Sequence, residues 1–135
     1  MSKLMFIDDD ADFLVAQEAF FRAHGYEVWT ARSGEDALAL LADHVPDLVF
    51  LDLMMEHYDS GFKLAHRLRQ DPRLATTPLV MLSGVASATG HRFDAEAAGL
   101  RAWSRVDAFM DKPVTCRRLL GVVEEHLGAQ PPGGG

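Results

Sequence analysis

The chain has 135 residues, 48% of them hydrophobic and 24% charged, which fits one globular domain with a proper core and excludes a disordered chain. Its formal net charge of −7 argues against a nucleic-acid-binding surface, which needs clustered Lys and Arg, and leaves room for an acidic site that draws a divalent cation. The single cysteine, Cys116, rules out an internal disulfide; with no apolar run near the roughly 20 residues that cross a bilayer and no signal-peptide pattern at Met1-Ser2-Lys3-Leu4, the expectation is a cytoplasmic protein with no membrane contact.

Lys3-Leu4-Met5-Phe6-Ile7 has strand character and runs into Asp8-Asp9. Asp10-Ala11-Asp12 then caps a helix whose apolar positions Phe13, Leu14, Ala16, Phe20 and Phe21 recur at helical spacing, with Gly25 as its stop. Tyr26-Glu27-Val28-Trp29-Thr30 alternates and reads as a second strand. Ser33, with Asp36 three residues on, opens a second helix with Ala37, Leu38, Leu40 and Leu41 as its buried stripe. A third strand, Asp47-Leu48-Val49-Phe50-Leu51, closes on Asp52. A helix over about residues 60–70 and a turn at Asp71-Pro72 lead to Pro78-Leu79-Val80-Met81-Leu82, a fourth strand followed by Ser83.

Residues 84–90 are small and polar, and a helical stretch runs through Ala95-Glu96-Ala97-Ala98, broken at Gly99 and resumed near Trp103. Ala108-Phe109-Met110 makes the last strand, ahead of Asp111-Lys112-Pro113. A final helix spans about residues 114–127, with Leu119, Leu120, Val123 and Leu127 on one face. Residues 129–135 form a flexible Pro/Gly tail beyond a domain of residues 1–128. Five strands alternating with five helices imply an α/β, flavodoxin-like fold: a doubly wound, five-stranded parallel sheet with helices on both faces. The runs at 48–51 and 79–82 are apolar without alternation, as central strands covered on both sides should be.

In open α/β sheets ligands bind at the carboxyl ends of the strands. There this chain would gather the carboxylates of Asp8, Asp9 and Asp52, the hydroxyl of Ser83 and the ammonium of Lys112. Carboxylates brought together repel, so the site wants a cation. Mg²⁺ suits it, since it prefers hard oxygen ligands at about 2.1 Å and keeps several waters. Asp9 and Asp52 supply oxygens directly, Asp8 directly or through water, and the backbone carbonyl of Met54 adds a ligand. Asp52, alone at the end of its strand, can attack phosphorus and form an aspartyl phosphate. Lys112 offers a point charge to a phosphoryl oxygen, and Pro113 pushes it into an extended conformation that carries it into the crevice.

The chain resembles the receiver domain of bacterial two-component response regulators over residues 3–128. The resemblance rests on Phe6-Ile7-Asp8-Asp9-Asp10, Asp47-Leu48-Val49-Phe50-Leu51-Asp52-Leu53-Met54-Met55, Val80-Met81-Leu82-Ser83-Gly84 and Phe109-Met110-Asp111-Lys112-Pro113. It implies Asp52 as phosphoacceptor, Asp8 and Asp9 as the Mg²⁺ pair, Ser83 as the switch hydroxyl, Lys112 as the phosphate-binding lysine and Phe109 as the switch aromatic. Two departures from the family pattern stand out. After Met55 comes Glu56-His57-Tyr58-Asp59-Ser60-Gly61-Phe62, without the usual proline and with one extra residue. The segment between Ser83 and Phe109 is longer than usual by roughly two helical turns' worth of residues.

The function expected from this resemblance is a single-domain response regulator, a switch rather than an enzyme. A sensor histidine kinase or histidine phosphotransfer protein would donate a phosphoryl group to Asp52. Output would pass to a downstream protein, or to a self-dimer, through the last strand and its flanking helices. Met54 and Val85, two residues beyond Asp52 and Ser83, would shield the phosphoryl group from water and lengthen its life. Two other readings stay open: a receiver fold that binds its partner without phosphorylation, and a haloacid-dehalogenase-like phosphatase using Asp8. The histidines (His24, His44, His57, His66, His91 and His126) show no ligand spacing, and Trp29, Trp103 and Cys116 read as packing residues.

Overall fold

The computed structural model describes residues 2–52, 60–83, 105–111 and 114–128, with Ser60 and Ser83 described by backbone alone. Five strands, β1 (Lys3–Ile7), β2 (Glu27–Ala31), β3 (Leu48–Asp52), β4 (Leu79–Ser83) and β5 (Ala108–Asp111), form one sheet in the order β2-β1-β3-β4-β5. Every pairing is parallel. The helices are α1 (Ala11–Ala23), α2 (Gly34–Leu41), α3 (Ser60–Arg69) and α4 (Cys116–Leu127), with a single 3-10 turn at Pro72–Leu74. The expected helix within residues 84–104 and the tail beyond residue 128 lie outside the described residues.

Side chains alternate across each strand, so one sheet builds two cores. Leu4, Phe6, Phe50, Val80 and Leu82 face α1 and α4, where they meet Leu14, Phe21, Leu119 and Val123. Met5, Ile7, Val49, Leu51 and Met81 face α2 and α3 and meet Ala37, Leu41, Phe62 and Leu68. Phe6 stacks on Phe50 with ring centroids 4.9 Å apart and leans on Phe21 at 5.4 Å, tying β1, β3 and α1 together. β3 is buried along its whole length, as its apolar run requires.

Local chemistry sets the boundaries. The Asp10 carboxylate accepts hydrogen bonds from the amides of Asp12 and Phe13 at 3.0 and 3.2 Å, capping α1. Gly25, at φ 88°, turns the chain out of that helix, and Tyr26 N–H donates back to Phe21 O. β2 therefore starts at Glu27, one residue later than the alternation of 26–30 suggests, and runs through Ala31. Ser33 Oγ accepts from Asp36 N–H at 3.1 Å and opens α2. Thr115 Oγ1 accepts from Arg118 N–H at 3.2 Å, so α4 starts at Cys116 rather than at 114.

The opposite end of the sheet is tied by Arg69, whose guanidinium is buried at the end of α3. Its Nη1 donates to the carbonyls of Leu74, Ala75 and Thr77 at 2.9, 3.3 and 2.6 Å. Nε donates to Arg105 O at 3.0 Å, and Nη2 meets Asp107 Oδ2 at 2.5 Å. The same carboxylate oxygen accepts from Leu79 N–H at 2.8 Å. One side chain thus fixes α3, the turn after it and the starts of β4 and β5. Nearby, Arg73 pairs with Asp71 and donates to Leu41 O at 2.8 Å, satisfying a carbonyl at the end of α2.

Candidate functional site

Parallel register decides where the acidic residues meet. Ile7 on β1 is level with Leu51 on β3, so Asp8 and Asp52 are the next positions along two hydrogen-bonded neighbours. Asp52 is still part of β3, where it pairs in register with Leu82 on β4. Asp8 N–H donates to Ala31 O at 3.0 Å, and Asp8 Oδ1 accepts from Asp10 N–H at 2.9 Å. Asp8 and Asp52 are buried, at 1% and 6% exposure, whereas Asp9 is exposed on the solvent side. One carboxylate oxygen from each of Asp8, Asp9 and Asp52 lies within 4.8 Å of the others.

At that separation two carboxylates repel by about 1–3 kcal/mol, depending on local screening. A small, hard, oxygen-seeking dication relieves this, and the donor set fits Mg²⁺: carboxylates only, two fixed by the sheet and one open to water. The arrangement can therefore hold a divalent cation against Asp52, whose carboxylate is also a nucleophile.

The remaining expected site residues fall as follows. Ser83 closes β4 and is level with Asp111 on β5, which places its backbone at the same end of the sheet. Lys112, the carbonyl of Met54, Val85, His57 and the loop carrying the family departures lie outside the described residues. Phe109 is half-buried on β5, level with Met81, with its ring 5.6 Å from that of Phe62 on the α2–α3 side of the sheet. Trp29 packs against the ring of His44 at 4.4 Å with Lys3 Nζ 5.9 Å above it, at the edge of the sheet.

Sequence reasoning missed Arg69 and Asp107. The signal was present: Phe62, Ala65 and Leu68 mark the buried face of α3, and Arg69 follows Phe62 by seven residues, a core-facing position occupied by a cation. A cation there needs buried acceptors, which the carbonyls of the following turn provide.

The sequence matches the model of the response regulator receiver domain over residues 4–124. The chain belongs to that family. This receiver domain is 32% identical over 130 residues to Protein PilG of Pseudomonas aeruginosa, across 96% of its own length and 90% of that protein. It is 36% identical over 120 residues to the transcriptional regulatory protein AfsQ1 of Streptomyces coelicolor, of which it spans only 48%. Among solved structures, a putative response regulator from Chloroflexus aurantiacus is 31% identical with a TM-score of 0.76, covering 93% of this chain and 97% of that one. The chemotaxis response regulator CheY4 of Vibrio cholerae, at 24% identity and a TM-score of 0.78 over 94% of this chain and 99% of its own, shares the fold.

Receiver domains are signalling modules that bind Mg²⁺ through acidic residues and exchange with histidine kinases or phosphotransfer proteins. No helix among the described residues is long and apolar enough to cross a membrane.

Proposed function

We propose that this receiver domain is a phosphorylation-controlled switch whose phosphoacceptor is Asp52. The observation that carries this reading is the convergence of Asp8, Asp9 and Asp52 within 4.8 Å at the carboxyl ends of adjacent parallel strands. In the transfer, an oxygen of the Asp52 carboxylate forms a bond to phosphorus as the phosphorus–nitrogen bond of a donor phosphohistidine breaks and the imidazole leaves with the bonding pair. The attacking group is already a carboxylate, so no proton needs to leave it. Bound Mg²⁺ supplies positive charge that offsets both the clustered carboxylates and the incoming phosphoryl oxygens.

Asp8 and Asp9 hold that cation together with Asp52 and the carbonyl of Met54. Lys112 contributes an ammonium to a phosphoryl oxygen, Ser83 a hydroxyl that turns toward the new group, and Phe109 follows it as the switch aromatic. The phosphorylated conformation then becomes the populated one, because only it makes these contacts. The receiver unit spans residues 1–128, works in the cytoplasm and takes its phosphoryl group from a sensor histidine kinase or a histidine phosphotransfer protein. Its output is protein–protein contact through β5 and the flanking helices.

Incubation with acetyl phosphate and Mg²⁺, followed by intact mass, tests the reading. A single phosphoryl adduct that needs Mg²⁺ and vanishes in Asp52→Asn supports it. An adduct that persists in Asp52→Asn moves the nucleophile to another residue such as Asp8. No adduct, and no binding of the beryllium fluoride mimic, makes the chain a binding module that works without phosphorylation.

A further inference from the structure

A cavity of about 340 Å³ lies between the C-terminal ends of α2 and α3. These helices run back against the strands they connect, so this cavity is at the end of the sheet away from the acidic cluster. Leu38, Leu41 and Leu68 line it together with the polar Gln70 and Asp71, and it carries two cations, Arg67 and Arg73. Arg73 is held by Asp71 and by Leu41 O. Arg67 is exposed, and its guanidinium has no partner among the described residues.

The chain leaves this cavity at Ala42 and enters the loop that leads to β3. Val45, three residues on, is one of two large apolar side chains exposed among the described residues. Asp43 and Asp47 flank it. The Asp43 carboxylate is exposed and has no partner among the described residues. The loop is stiff: the amides of Asp43 and His44 both donate to Leu40 O at 3.2 and 3.0 Å. The His44 ring lies on Trp29, and Asp47 Oδ2 accepts from Lys3 N–H at 2.7 Å.

A leucine-lined hole carrying Arg67 thus sits beside an apolar knob flanked by Asp43, neither charge being paired among the described residues. Three extended residues separate cavity and knob by at most about 11 Å. Such a patch is complementary to itself, which is what contact across a two-fold axis requires. We propose that a second copy of this chain docks here, Val45 of each copy entering the α2–α3 cavity of the other and Asp43 meeting Arg67 across the axis. Charge is complementary across this face. Each copy carries −7, so most pairings of surfaces repel, whereas this one sets a basic rim against an acidic loop. The loop is already ordered, which lowers the entropic cost of docking. The contact is small and the association correspondingly weak. It leaves Asp8, Asp9 and Asp52 uncovered at the far end of the sheet, so the dimer forms whether or not Asp52 carries a phosphoryl group.

Sedimentation equilibrium over micromolar to millimolar concentrations, without any phosphoryl donor, reads this directly. The expected result is a weight-average mass that rises from the 14.9 kDa of one chain toward twice that value. Each of Arg67→Glu and Asp43→Arg weakens association at least about tenfold, since every replacement counts twice across the axis. The double variant Asp43→Arg/Arg67→Glu recovers it, and Val45→Asp abolishes it. All three positions are exposed, and far-UV circular dichroism checks that the variants fold. A monomer at every concentration overturns the proposal. So does association indifferent to the single substitutions, which would place the contact elsewhere, for example on β5 and its flanking helices. A double variant no better than the singles overturns it too. Loss of the acetyl phosphate adduct in a protein that still dimerises would refute the phosphoacceptor reading and leave this interface standing.

Discussion

Replacing Arg69 by methionine keeps most of the apolar stem and removes the guanidinium that ties α3, the turn after it and the starts of β4 and β5. Two of its acceptors, Leu74 O and Thr77 O, make buried hydrogen bonds with it. Thr77 O is then left without a donor, at about 1–3 kcal/mol, while Leu74 O keeps a long bond from Thr77 N–H at 3.3 Å and loses about 1 kcal/mol. The Asp107 side chain is 43% exposed and regains water, so loss of that ion pair adds no more than about 1 kcal/mol. The expected destabilisation is therefore about 3 kcal/mol, a large share of the roughly 5–15 kcal/mol that holds a domain of this kind. With a urea slope of about 2 kcal/mol per molar, the midpoint of unfolding falls by about 1.5 M. Equilibrium urea titration followed by far-UV circular dichroism measures this. Arg69→Lys keeps the charge but not the fork of donors and recovers less than half of the loss. A loss under about 1 kcal/mol in Arg69→Met would refute the reasoning, because it would mean that water satisfies those carbonyls once the guanidinium is gone.

Three further outcomes follow from the same geometry. Asp8→Asn removes one repelling carboxylate from the cluster and raises stability without Mg²⁺ by about 1–3 kcal/mol; thermal melts should also show that Mg²⁺ stabilises the wild type more than this variant. Tyr26 is buried with no hydrogen-bond partner for its hydroxyl among the described residues, and burial, with the nearby Glu124 carboxylate, raises its pKa. A raised pKa means that folding favours the neutral phenol, so its contribution is complete below pH 10.0 and is lost as pH rises through the folded value. Tyr26→Phe is thus neutral or stabilising at pH 7 and flattens the alkaline limb of a pH–stability curve; a loss above about 1 kcal/mol would show that the hydroxyl has a partner. Asp71 is shifted the other way: hydrogen bonds from Arg73 hold its carboxyl below its usual 3.8. Its contribution is present above that value and disappears as pH falls through the lowered one, so Asp71→Asn should flatten the acid limb below about pH 4.

The fold was legible because its signals are strong and local. Apolar runs without alternation mark β3 and β4, and they are buried between two helical layers. Asp10 and Ser33 announce helix starts that the structure caps with those same side chains. The acidic cluster was legible for a different reason. Asp8-Asp9 follow one strand and Asp52 ends another, and parallel packing brings strand ends to one edge. Arg69 was not legible from propensity, since arginine is an ordinary helix residue and its acceptors are backbone carbonyls with no identity in the sequence. The start of β2 was misread by one residue because Tyr26 is apolar enough to continue the alternation, while its amide is spent on closing α1.

The register between β1 and β3 acts as a ruler for the two buried aspartates. Their spacing is set by backbone hydrogen bonds along the ladder from Leu4 and Leu48 to Ile7 and Leu51, not by the connections that leave the strands. A segment that begins after Asp52 can accordingly gain or lose a residue while the aspartate spacing stays as the ladder sets it. Descent with insertion is cheap on that side of the sheet and expensive inside it, where a slip of one residue would turn Asp52 into the core and Leu51 out to the acidic cluster.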